Sequence, residues 1–304
     1  LSDAVIEIRP DRTANECKAR LPLMALVTGD KILNDLLIQG YGHTVDFPEL
    51  RERALSVWQA TLDGRRVIIQ SNDALRPHVD MPDEDAILFD PWDDAHTRQR
   101  SDVAAVFKRS LEWPPRHGLV YPAWPQPATV DLECGPPPDS ETPIIAFCGV
   151  AGRPDSRREF IDKFREFPGI DFRIVERDAF CDADTETFRR MIREAHFVLC
   201  PIGVGRFSYR IYETLAAGRV PVLPNCSQVL PLEVKRGSDF CFGDGPQRVL
   251  DYWYASGRER IEESWRRNRA TWIDAASPLG SLYYMAQDVD WHFRMAEKPE
   301  EATA

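Results

Sequence analysis

Between positions 206 and 213 the chain places Arg206, Ser208, Arg210 and Glu213, side chains whose types and spacing suit a phosphate and a sugar hydroxyl. They follow the apolar run Phe197-Val198-Leu199-Cys200 and the loop Pro201-Ile202-Gly203-Val204-Gly205. A strand, a glycine-bearing loop and a helix start leave unpaired backbone N–H groups at a sheet's carboxyl edge, where the helix dipole also favours an anion. Ser208 is an N-cap residue or a hydroxyl donor to that anion. Arg206 and Arg210 flank it, and the guanidinium fork matches phosphate oxygens. Glu213 lies three residues beyond Arg210, on the same side of a helix, where a carboxylate can accept both hydroxyls of a ribose. Many α/β proteins contain such a segment, however, and Arg210–Glu213 is also the spacing of an ordinary helix-surface ion pair. Spacing alone leaves both readings open.

The elements that must position these groups are legible in the second half. Pro143–Cys148 is a short apolar run ending at Gly149, as in a buried parallel strand, and Phe172–Val175 and His196–Cys200 read alike. Arg157–Phe167 has apolar residues at 160, 161, 164 and 167, and Thr185–Glu194 has a similar helical character. A helix over 208–217 ends at Ala216-Ala217-Gly218, small residues that allow close packing and a glycine stop. Val220-Pro221-Val222-Leu223 follows as a strand, and the tail from Pro246 is helical. Strands alternating with helices at this spacing predict a doubly wound parallel sheet.

The first half predicts a second, smaller Rossmann-like unit. Its strands fall at Leu23–Thr28, Arg66–Gln70 and Asp85–Phe89, and its helices at Arg51–Leu62 and Ser101–Leu111. Nine of the 24 prolines lie between Pro114 and Pro143, so residues 113–143 read as a stiff linker, neither helix nor sheet. The expected domains are thus 1–125 and 143–304.

With 38 basic and 49 acidic side chains the net charge is −11, which argues against a nucleic-acid partner but not against a local basic pocket. No run approaches the roughly 18 apolar residues of a membrane span. Seven scattered cysteines without a C-x-x-C pair fit reduced thiols, so a cytoplasmic chain is expected. The chain begins at Leu1 and not at Met, which leaves an N-terminal anchor open.

The run Phe197…Pro201-x-Gly203…Ser208-x-Arg210-x-x-Glu213-x-Leu215-x-x-Gly218-x-x-Pro221-Val222 resembles the donor-binding segment of exostosin-like glycosyltransferases. Phe147-x-Gly149…Arg157 before it and Leu230-Pro231 after it fall in that family's order, so the resemblance spans residues 144–235. The first 110 residues share only Val106-Phe107-Lys108-Arg109 with it, and Tyr209 and Tyr212 depart from its smaller residues. The resemblance implies an α/β chain of GT-B type, two Rossmann-like domains with parallel sheets facing a central cleft. It implies a UDP- or GDP-sugar donor and a glycan acceptor, with Glu213 on the ribose, Ser208 and Arg210 on the diphosphate, and Arg153 or Arg157 as a second phosphate partner. Arg206 joins them from the loop.

GT-B enzymes generally stabilise the departing diphosphate with a helix N-terminus and basic side chains, so no metal cofactor is expected. Asp182-Ala183-Asp184 reads as a solvated turn. The family also implies inversion at the sugar carbon, and hence one general base from an N-terminal strand end. Asp30 and His43 lead the candidates by position, with Asp73 behind them; each is also an ordinary cap, turn or surface residue. His196 reads as a satisfied histidine and not a ligand. Trp92, Trp113 and Trp124 read as packing residues before sugar platforms. The competing functions are a retaining GT-B transferase, a non-catalytic GT-B-like module that binds glycan or protein, and another nucleotide-binding Rossmann protein.

Overall fold

A computed structural model describes residues 5–8, 66–69, 87–90, 105–108, 120–121, 134–152, 155–177, 185–202, 208–224 and 230–277, with single positions at 49–60 and 280–287. Residues 144–242 supply a five-stranded parallel sheet: β6 (Ile144–Val150), β7 (Asp171–Arg177), β8 (Phe197–Leu199), β9 (Val220–Leu223) and β10 (Cys241–Phe242). Its spatial order is β10-β9-β8-β6-β7. Helices α1 (Asp155–Arg165), α2 (Thr185–Arg193), α3 (Tyr209–Ala216) and α4 (Leu232–Gly237) make the connections, and α5 (Pro246–Thr271) closes the unit.

Strand β6 shows why both sheet faces must be covered. Ile145 and Phe147 point to a layer with Phe160, Ile161 and Phe164 of α1 and Val249 and Ile261 of α5. Ile144, Ala146 and Cys148 point the other way, to Phe188, Met191 and Ile192 of α2 and Ile211, Tyr212 and Leu215 of α3. Side chains alternate along a strand, so a run apolar at every position buries both faces. The continuous apolar reading of 143–148 therefore led to the correct three-layer arrangement. Predicted helices and strands of this half all recur, their ends coinciding or shifted by no more than two residues.

The sheet order places a topological switch beside β6. The chain leaves β6 for β7 on one side, then crosses back to β8 on the other. Above the carboxyl ends of such a strand pair a crevice opens, because the two connections run to opposite faces.

In the first half, β1 (Val5–Ile8) pairs in parallel with β2 (Arg66–Ile69), and β3 (Ile87–Asp90), β4 (Ala105–Lys108) and β5 (Val120–Tyr121) form a parallel trio. The α/β class with parallel sheets thus holds in both halves. Three sequence expectations need correction or completion here. The predicted helix 101–111 contains a strand, Ala105–Lys108, because its alanines and lysine suit a helix locally while parallel partners on both sides override that preference. The proline-rich 113–143 is not wholly linker, since Val120–Tyr121 pairs with β4. Val5–Ile8 was missed, its short VIEI pattern being too brief to stand out. The predicted strand Leu23–Thr28 lies outside the described residues.

The last part of the proline segment is tied to the second half. Arg219, 1% exposed, donates from Nε to the Ile192 carbonyl, from Nη2 to that of Arg193 and from Nη1 to that of Gly135. His196 accepts the Ile144 N–H at Nδ1 (2.9 Å) and faces the Pro138 carbonyl from Nε2 (2.8 Å). One neutral tautomer, with the proton on Nε2, satisfies both contacts. Residues 134–138 are thus a strap on the body, held at the Gly135 and Pro138 carbonyls. Farther along, the Arg53 guanidinium lies 4.6 Å over the Tyr283 ring.

Candidate functional site

Two arginines come together at the switch, beside the ends of β6 and β8. Arg157, from α1, donates from Nη1 to the Val150 carbonyl at the end of β6 (2.9 Å) and from Nε to the Ile202 carbonyl beyond β8 (2.8 Å). It therefore straps together the two strand ends that flank the crevice. Arg210, from the first turn of α3, reaches the same place: a Cβ on Gly149 would lie 3.3 Å from its Nη2. Burial, and secondarily the Arg210 charge, pull the Arg157 guanidinium below its ordinary pKa. Two like charges held together at a strand edge favour an anion between them.

Helix α3 supplies the remaining groups. Ser208 occupies the N-cap with extended backbone, and its side chain makes no capping hydrogen bond. Glu213 sets Oε2 3.6 Å from Arg210 Nε, and the pair is mostly buried, with side-chain exposures of 22% for Arg210 and 13% for Glu213. This is not a solvated helix-surface pair. The guanidinium stacks 4.3 Å from the Phe188 ring centroid, and its Nη1 is buried with no hydrogen-bond partner among the described residues. A buried donor without a partner costs about 1–3 kcal/mol, and a ligand that supplies an acceptor recovers it.

The far end of α3 fixes where these groups sit. The Arg219 N–H bonds to the Thr214 carbonyl and the Gly218 N–H to that of Leu215, a Schellman closure with Gly218 at φ 69°. Tyr212 is fully buried, and burial pushes its phenol above the ordinary range. Cys200, at the end of β8, contacts Thr214 Oγ1 at 3.6 Å, and its buried thiol is pushed up to about 12. It stays protonated and is no nucleophile.

Of the residues singled out by the sequence, the structure brings Arg157, Ser208, Arg210 and Glu213 to one strand edge. Arg153, Arg206, Asp30, His43 and Asp73 lie outside the described residues, as do Asp182, Asp184 and the tryptophans at 92, 113 and 124. Phe188 and Gly149 were not recognised as site residues. Phe188 carried no chemical signal beyond an apolar position on α2, and Gly149 was read only as a strand end and part of a motif. Among the described residues no cluster of His, Cys, Asp or Glu is placed to hold a metal, and no helix is long and apolar enough to cross a membrane.

Residues 165–234 match the family model of the RXYLT1 C-terminal domain. No curated protein matches the chain. Among solved structures, a glycosyltransferase from Rickettsia africae ESF-5 overlays at 10% identity and TM-score 0.48, covering 96% of this chain and 99% of that one. An S. aureus MnaA–UDP co-structure overlays at 10% identity and TM-score 0.42, over 96% and 97% of the two chains. The family match covers β7, α2, β8, α3 and β9 whole, and with them Ser208, Arg210 and Glu213. Over residues 165–234 the chain is thus similar to the exostosin-like RXYLT1 C-terminal domain, and the resemblance to exostosin-like glycosyltransferases read from residues 144–235 stands.

Proposed function

We propose that the chain is a glycosyltransferase of GT-B type that moves a sugar from a UDP- or GDP-sugar to a glycan hydroxyl, inverting the sugar carbon without a metal. The observation that carries this reading is the Arg210 guanidinium at the switch-point crevice, with a buried Nη1 that has no partner among the described residues. It belongs to a segment of exostosin-like character.

In the proposed mechanism, Arg210 and the first N–H groups of α3 bind the donor diphosphate, and the Ser208 hydroxyl adds a further donor. Charge builds on the diphosphate as the sugar–phosphate bond breaks, so these fixed dipoles and the Arg210 charge stabilise the transition state more than the ground state. Arg157 spends Nε and Nη1 on backbone carbonyls, and its Nη2 is the donor left for the anion. Glu213 holds Arg210 in place and accepts the ribose hydroxyls. Asp30 or His43 takes the acceptor's proton as the new bond forms, and Arg153 and Arg206 join the phosphate site from their loops.

Calorimetry with UDP and GDP in excess EDTA tests the reading. Binding without metal is expected, and Glu213→Ala should weaken it about 10-fold or more, the loss of one charge-assisted hydrogen bond or better. No binding of either nucleotide would sink the proposal. For a donor that turns over, NMR of the product anomer separates inversion from retention.

A further inference from the structure

We propose that Phe188 is a positioning residue that holds Arg210 in its anion-binding geometry, an inference that rests on the nucleotide-sugar reading above. Phe188 lies on α2, in the crossover from β7 to β8, and is 7% exposed within the layer that also buries Ile211 and Tyr212 of α3. Its ring is the back wall of the Arg210 guanidinium, 4.3 Å from centroid to Cζ. Gly149 also lies against the guanidinium, since a Cβ there would approach Nη2 to 3.3 Å. Glu213 fixes the remaining edge through Nε at 3.6 Å. These three contacts hold the flat cation in one orientation, with Nη1 buried and without a hydrogen-bond partner among the described residues.

An arginine side chain in solvent samples many rotamers, and ordering it on binding weakens affinity. A guanidinium already stacked on an aromatic face has lost that freedom before the ligand arrives. The negative face of the ring also offsets part of the cation's desolvation, which an aliphatic side chain of equal volume does not. Replacing the ring by an apolar residue therefore lets Arg210 fold back onto Glu213 or swing to solvent, while the core stays filled. Phe188 touches no substrate; it acts through Arg210.

The test measures UDP and pyrophosphate binding to the full chain by calorimetry and phosphorus NMR, with thermal unfolding as a check on folding. Phe188→Met and Phe188→Leu should weaken both ligands about 3- to 30-fold, the range for a partly desolvated cation–π contact. Phe188→Tyr, which keeps the ring, should bind within about 2-fold of wild type. In an Arg210→Gln background Phe188→Met should change affinity less than about 2-fold, because the residue it acts through is gone. Wild-type affinity in Phe188→Met, or an equal loss in both backgrounds, would overturn the proposal while leaving the donor site in place. Failure of the wild-type chain to bind either probe would instead overturn the nucleotide-sugar reading, and this inference with it.

Discussion

Gly218→Ala separates two costs that a glycine can hide. Gly218 sits at φ 69°, and a Cβ there would lie 2.2 Å from Trp265 Cδ1, 2.7 Å from Arg269 Cγ and 2.7 Å from the Trp265 carbonyl oxygen. The last atom belongs to the backbone of α5, so the clash cannot be relieved by a rotamer alone. Left-handed backbone costs an alanine about 1–2 kcal/mol. Overpacking against a rigid neighbour adds about 1–3 kcal/mol, so the variant should lose roughly 2–5 kcal/mol. Gly169 is the control. It has φ 80°, but its Cβ would meet only Leu250 methyl groups at 3.8 and 3.9 Å, ordinary contact. Gly169→Ala should therefore lose only the backbone part, about 1–2 kcal/mol. Urea unfolding of the two variants and wild type gives the difference. If the two losses agree within about 0.5 kcal/mol, α3 does not approach α5 as closely as described and the packing argument is wrong.

Arg219→Met should destabilise the chain by about 3 kcal/mol or more, since three charge-assisted bonds of about 1.5–3 kcal/mol each are lost against a partial gain in apolar packing. Limited proteolysis should then cut near Gly135, which Arg219 ties down. The pH dependence of His196 has a definite sign. Burial pulls its pKa below 6.5, mainly by desolvation with help from nearby Arg219 and Arg173, so the folded chain keeps the neutral ring. Its contribution to stability is complete above pH 6.5 and is lost as pH falls from there through the folded value, because the unfolded chain takes up the proton first. Thermal unfolding between pH 7.5 and 5 should show that loss in wild type and less of it in His196→Gln. An equal slope in both would show that the two ring contacts do not form.

How far the sequence reached depended on whether local pattern and tertiary demand agreed. For the sheet of the second half they did. Runs such as Pro143–Cys148 and Val220–Leu223 are apolar at every position because both faces of a parallel sheet are buried, and that demand is written in consecutive residues. For Ala105–Lys108 they did not: the residues tolerate a helix, and only partners at β3 and β5 make them a strand. The proline segment reads as extended chain because its prolines withdraw backbone donors. Its anchorage was invisible, because Arg219 and His196 reach it from positions far along the chain.

The site divides in the same way. Ser208, Arg210 and Glu213 are legible by themselves, because one turn of helix fixes their relative directions whatever surrounds it. Sequence also determined that the segment begins at a strand end and stops at a glycine. Whether Arg210–Glu213 is a solvated pair or a mostly buried one was decided only by the tertiary structure. The sheet order β10-β9-β8-β6-β7 brings the ends of β6 and β8 together, and that places Arg157, Gly149 and Phe188 around a guanidinium from another helix. Local geometry is encoded over one turn. Desolvation and charge proximity depend on which distant strands become neighbours, and that order is set by packing across the whole sheet.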